Sequence, residues 1–127
     1  MLEKDIVNHV VKNWDTLFPD LIFVKTEYSL RNFRVDILAY KKGDRKHSVF
    51  IEVKHNSSQR DLIYEITKQI KFADWYNQFS RVSLYTLAED YDSFIAEWLT
   101  DNNVKQYIYS YENELENFKI KENEECY

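Results

Sequence analysis

Apolar residues recur at two spacings along this chain, and the changes between them mark out its elements. From Leu2 to about Phe18 the spacing is helical: Leu2, Ile6, Val10 and Trp14 repeat every four residues, and Val7 and Val11 widen the stripe. Pro19 and Asp20 end that helix. Three runs dense in β-branched and aromatic residues follow, LIFVKTEYSL, NFRVDILAY and HSVFIEVK, and each reads as a strand. KKGDRK, holding Gly43, joins the second run to the third as an antiparallel hairpin. After the polar stretch NSSQRD, Ser57 or Ser58 is placed to cap a helix reaching about Phe79, with Leu62, Ile66, Ile70 and Ala73 on one face. RVSLYTLA is a fourth strand. DYDSFIAEWLTDN is a helix with Phe94, Ile95, Trp98 and Leu99, and VKQYIYSY is a last strand with Tyr107, Tyr109 and Tyr111 on one side. Residues 112–127 are so charged that they read as a frayed helix or tail. The pattern gives a single α/β domain over residues 1–127, with helices packed on a mixed sheet.

Composition narrows the class. A length of 127 residues suits one core, and one Gly with one Pro leaves little room for flexible linkers. No apolar run is long enough for a membrane span, and the charged, amphipathic start MLEKDIVNHV does not read as a secretory signal. Lone Cys126 has no partner for an internal disulfide or a structural zinc site. The expectation is a cytoplasmic protein without a membrane partner.

The net charge of −5 at first argues against nucleic acid, but the charge is segregated. Residues 25–81 carry twelve basic and seven acidic side chains, a surplus of +5, whereas residues 82–127 carry three and eleven, a deficit of −8. A basic central segment can meet a phosphate backbone within an acidic molecule. At the hairpin tip, Lys41, Lys42, Arg45 and Lys46 are equally well explained as solubilising charge.

The candidate chemistry lies in that segment. Asp36 closes one apolar run, and Glu52 and Lys54 close the next, sharing a strand face because residues i and i+2 do. Across the hairpin Asp36 can stand beside them. Two carboxylates suit a hard divalent cation, and a lysine beside them suits a phosphodiester. An isolated Glu-x-Lys is usually a solvent-facing ion pair, but here it follows an apolar run and faces a third charged residue. His9, His47 and His55 lack metal-ligand spacing, no glycine-rich phosphate loop is present, and Ser57 and Ser58 lack a His/Asp context. Phe72, Trp75, Tyr76 and Phe79 could stack on bases or serve as core or dimer contacts.

The Asp of RVDIL, the Glu-x-Lys of IEVK and the hairpin between them resemble the PD-(D/E)xK nuclease superfamily, in particular archaeal and bacterial domains that cut branched or mismatched DNA. The likeness covers residues 2 to about 76. Val35 replaces the proline common before the acid, and Ala73 stands where an aromatic is usual, with Phe72 and Tyr76 nearby. The resemblance implies a restriction-endonuclease-like fold in the order α-β-β-β-α-β-α-β. It adds Glu3 on the first helix and Gln69 on the helix after the motif to Asp36, Glu52 and Lys54 as catalytic residues. Asp36, Glu52, the Val53 carbonyl and Glu3 would hold Mg²⁺ or Mn²⁺, with Glu27 competing with Glu3. Arg34, His55, Arg60, Lys68 and Lys71 would contact nucleic acid. The expected activity is metal-dependent endonucleolytic hydrolysis of DNA, branched, mismatched or single-stranded, leaving a 5′-phosphate. Rival expectations are a catalytically weak binding module on the same fold and a subunit taking its specificity from a partner. A homodimer is expected as the means of presenting two sites, through Tyr107, Tyr109 and Tyr111 or Trp75, Tyr76 and Phe79.

Overall fold

A computed structural model describes residues 2–55 and 59–124. The proposed caps Ser57 and Ser58, and Cys126, lie outside the described residues. The first helical stripe forms two pieces, α1 (Glu3–Lys12) and α2 (Trp14–Leu17), separated at Asn13. The Asn13 side-chain amide donates to the His9 carbonyl at 2.9 Å, competing with the helix ladder where the break occurs. Ile6, Val7, Val10 and Trp14 are buried as the periodicity required, whereas Leu2 is exposed.

The strands follow in sequence order across one six-stranded sheet: β1 (Leu21–Leu30), β2 (Phe33–Lys41), β3 (Asp44–Val53), β4 (Arg81–Ala88), β5 (Lys105–Glu112) and β6 (Glu116–Glu122). β1, β2 and β3 pair antiparallel, β3, β4 and β5 parallel, and β6 antiparallel to β5. The two parallel joins need crossovers, supplied by α3 (Gln59–Tyr76) and α4 (Ser93–Asp101). Gly43, at φ +84°, occupies the hairpin turn in a conformation that disfavours other residues. β6 corrects the expected tail. Its Phe118 and Ile120 pack against the core on one side, and charged residues between them face solvent. β5 is therefore internal, and Tyr109 is buried with Tyr107 and Tyr111 packed beside it, so this tyrosine row is not an open dimer surface.

Both sheet faces are covered. On one, Ile37, Ala39, Val49, Ile51, Val53 and Leu87 pack against Ile6, Val10 and Trp14. On the other, Val35, Phe50, Val82 and Leu84 pack against Leu62, Ile66 and Ala73 of α3 and Ile95 and Leu99 of α4. Val35 and Ile37 are two residues apart yet join opposite clusters, so strand alternation breaks at Asp36.

Candidate active site

The break at Asp36 coincides with the end of a ladder. β2 and β3 pair as far as Ile37 and Ile51, after which β3 continues to Val53 paired only with β4. The Val53 N–H, which a continued ladder would have used, instead donates to Asp36 Oδ2 at 2.7 Å. In an antiparallel strand a residue's N–H and C=O face the same neighbour, so the Val53 carbonyl lies towards Asp36 as well. The sheet opens there, and a carboxylate occupies the gap.

Glu52 lies on the α3 side of β3 and is 5% exposed. Gln69 on α3, fully buried, donates through Nε2 to Glu52 Oε1 at 3.3 Å. Lys54 Nζ stands 3.9 Å from Glu52 Oε2, with only 13% of its side chain exposed. Asp36, Glu52 and Lys54 line one groove of about 500 Å³ with Glu3, Phe33, Arg34, Glu65 and Lys68. Sequence reasoning thus located three residues that the fold brings together, and Glu3 joins them from α1. Glu27 lies outside that groove's lining, 3.9 Å from Arg34, but lines an adjoining cavity with Glu3, Arg34 and Asp36.

Burial pushes the Glu52 carboxyl well above its ordinary value. Repulsion from Asp36 adds to this, Lys54 opposes it, and Glu65 and the Gln69 hydrogen bond act more weakly. Burial also raises Asp36, against the opposing Val53 N–H and Lys54. Burial is thus the main reason that both acids resist ionising, with Lys54 opposing it in each case.

Behind the groove, Glu3 Oε2 accepts from the His55 N–H at 3.0 Å. Tyr109 donates its hydroxyl hydrogen towards the Lys54 carbonyl (3.1 Å) and Glu89 Oε1 (3.3 Å), and its oxygen lies 2.8 Å from His55 Nδ1. Glu89 Oε1 is 2.5 Å from the same nitrogen. His55 is therefore turned inward, its side chain 4% exposed, and the expectation that it meets phosphate is corrected. The neighbours of its Nδ1 are a phenol and a carboxylate inside the protein. Sequence reading missed Tyr109 and Glu89 as supports of the Lys54–His55 turn, because no local pattern connects strand β5 to that turn. Of the other expected nucleic-acid contacts, Arg34 and Lys68 line the groove, and Arg60 and Lys71 are exposed on α3.

Among the described residues, no three His, Cys, Asp or Glu side chains are grouped so as to hold a metal ion by themselves. Mg²⁺ characteristically uses one or two carboxylates and keeps several waters, so a two-acid set with a nearby main-chain carbonyl suits it. Gln69 Oε1, which is buried without a hydrogen-bond partner among the described residues, fits too.

No family model matches the sequence, and no curated protein does. Solved structures do. An EndoMS–dsDNA complex matches with TM-score 0.69 at 13% identity, over 82% of this chain and 42% of that one. The fold is restriction-endonuclease-like. A repair endonuclease from Pyrococcus abyssi matches with TM-score 0.66 at 15% identity, over 84% of this chain and 46% of that one. SfsA of Pyrococcus furiosus, solved with Ca²⁺, matches with TM-score 0.50 at 14% identity, over 95% of this chain and 61% of that one. The chain thus spans less than half the length of the first two. Among the described residues, no helix is long and apolar enough to cross a membrane.

Proposed function

We propose that this restriction-endonuclease-like domain is a Mg²⁺- or Mn²⁺-dependent endonuclease that hydrolyses phosphodiester bonds in DNA. The observation that carries the reading is the convergence of Asp36, Glu52 and Lys54 in one groove where burial holds both acids against ionising. Asp36, Glu52 and the Val53 carbonyl would hold the cation, with Glu3 beside them. The chemistry a bound divalent cation supplies at such a site is acidification of water and neutralisation of phosphate charge. Lys54 presents its ammonium to the same space, where it orients the attacking water and offsets charge growing on the phosphoryl oxygens. Gln69 fixes the Glu52 carboxylate through its amide, and the Val53 N–H fixes Asp36. Arg34 and Lys68 on the groove's lining meet the DNA backbone. The likeness to a structure solved with double-stranded DNA supports DNA as the polymer.

The test is cleavage of duplex, branched and single-stranded DNA with Mg²⁺, Mn²⁺ or EDTA. Metal-dependent cutting is expected, reduced by at least about a hundredfold in Lys54→Ala, Glu52→Gln and Asp36→Asn, on the scale of losing one acid–base or electrostatic catalyst. Undiminished cutting by Lys54→Ala would sink the reading.

A further inference from the structure

Helix α3 carries a surface that shares only Lys68 with the cleavage groove. Tyr64, Lys68, Lys71 and Trp75 fall at steps of four, three and four residues, which places them on one stripe of the helix. Phe79, in the turn that follows, continues it with its ring 5.3 Å from Trp75, edge to face. These are large apolar groups left in water: Trp75 is 56% exposed, Phe79 68% and Tyr64 63%. They alternate with cations, and the Lys68 ammonium sits 4.1 Å above the Tyr64 ring. The stripe is also joined to the groove. Phe33 lines the groove beside Asp36 and Glu52, its ring meets Phe72 at 5.8 Å, and Phe72 meets Trp75 at 6.0 Å. Lys68 belongs to both surfaces.

Aromatic faces interleaved with cations are what an unpaired nucleic-acid strand requires: bases stack on the rings while the ammonium groups follow the phosphates. A base-paired duplex hides its base faces and can use only the cations. Lys71 is exposed between the rings, whereas Lys68 is partly buried with its ammonium also 3.7 Å from Glu65 Oε1; two copies meeting ring to ring would bring their Lys71 ammonium groups together. Two exposed acids flank the stripe: by the 100° step per residue of a helix, Asp61 falls about 20° beyond Lys68 at one edge, in the turn before Tyr64, and Asp74 about 60° beyond Lys71 at the other. We propose that the Tyr64–Lys68–Lys71–Trp75–Phe79 stripe binds unpaired nucleotides adjoining the groove, so that the substrate is DNA with a single-stranded stretch next to the scissile bond. The proposal rests on the nuclease reading for its cleavage consequence, but not for binding.

The test separates the two. In a Lys54→Ala background, which binds without cutting, affinities for a fluorescein-labelled thymidine 20-mer and for a blunt 20-base-pair duplex are measured with and without Trp75→Ala/Phe79→Ala. The single-strand affinity should fall about tenfold or more beyond any fall on the duplex, the scale of one or two lost base stacks. Trp75→Phe should restore most of it, and thermal melting should confirm that both variants fold. Equal losses on both ligands, or none on the single strand, overturn the proposal. So does a monomer–dimer equilibrium in sedimentation that Trp75→Ala/Phe79→Ala abolishes, because the stripe would then cover itself. If the wild type never cleaves yet the thymidine 20-mer binds through the stripe, the binding proposal stands and the nuclease reading fails.

Discussion

Replacing Glu52 by glutamine should make the metal-free protein more stable, and increasingly so as pH rises. In the folded state this carboxyl is held well above its ordinary value by burial first and by Asp36 second, whereas in the unfolded chain it titrates near 4.5. Below the unfolded value the group is protonated in both states and its favourable contribution is fully present. As pH rises towards the folded value, the unfolded state loses its proton first. Stability then falls by about 1.4 kcal/mol per pH unit for one proton of difference. The substituted amide has nearly the same shape, keeps a partner for Gln69 and cannot ionise, so the slope disappears in the variant. Carboxylates remote from the site act alike in both proteins and cancel in the difference, whereas Asp36, relieved of the Glu52 charge, ionises more readily in the variant and adds to its gain. The assay is urea unfolding in EDTA at pH 5, 6 and 7, comparing extrapolated stabilities. The difference between variant and wild type should grow with pH by up to about 1.4 kcal/mol per unit across the window between the two titrations. Mg²⁺ at about 100 times its dissociation constant should recover roughly 2.7 kcal/mol in the wild type and far less in the variant. Parallel stability curves in EDTA would refute the claim that Glu52 is held against ionisation.

Tyr109→Phe removes the hydroxyl that meets the Lys54 carbonyl, Glu89 and His55, and should cost about 0.5–1.5 kcal/mol in urea unfolding, the net worth of a hydrogen bond, because Glu89 is exposed and remains beside His55; it should lower kcat more than it raises KM. Ile51→Ala, at a fully buried position between α1 and the sheet, should cost about 2–5 kcal/mol by the same assay, with activity retained below the new unfolding midpoint. Arg34→Ala and Lys68→Ala should each lower the slope of log affinity against log salt by roughly 0.7–0.9 in DNA titrations, and an unchanged slope would remove that residue from the backbone contacts.

The β2–β3 hairpin was legible because its two strands announce themselves by composition, and Gly43 marks the turn. The acids followed, since parity alone puts Glu52 and Lys54 on one face. Parity did not reveal that alternation breaks at Asp36, because a broken ladder is a tertiary event that leaves no mark in RVDIL. Gln69 was ambiguous for a similar reason: an amide on a helix is buried only if a partner such as Glu52 awaits it. β6 was hidden by its own two-sidedness. Phe118 and Ile120 are too few to stand out among charges, and the turn before it lacks glycine. Glu114, Leu115 and Asn117 take positive φ values of 52°, 69° and 55° there, so the usual turn signal is missing. His55 misled because its neighbours in sequence are polar while its neighbours in space are Tyr109 and Glu89.

The tether of Asp36 to Val53 spans 17 residues, whereas those joining Glu3 to His55 and Tyr109 to Lys54 span 52 and 55. Closing the longer loops costs about 1 kcal/mol more in chain entropy, and each also requires a separate element, α1 or β5, to dock. The acid pair thus belongs to a local unit that can assemble with the hairpin alone, while the turn carrying Lys54 is fastened only when distant parts of the chain arrive. In native-state hydrogen exchange the Val53 amide should open with a larger free energy than the His55 amide. If the order is reversed, the acids and the lysine do not belong to separate cooperative units.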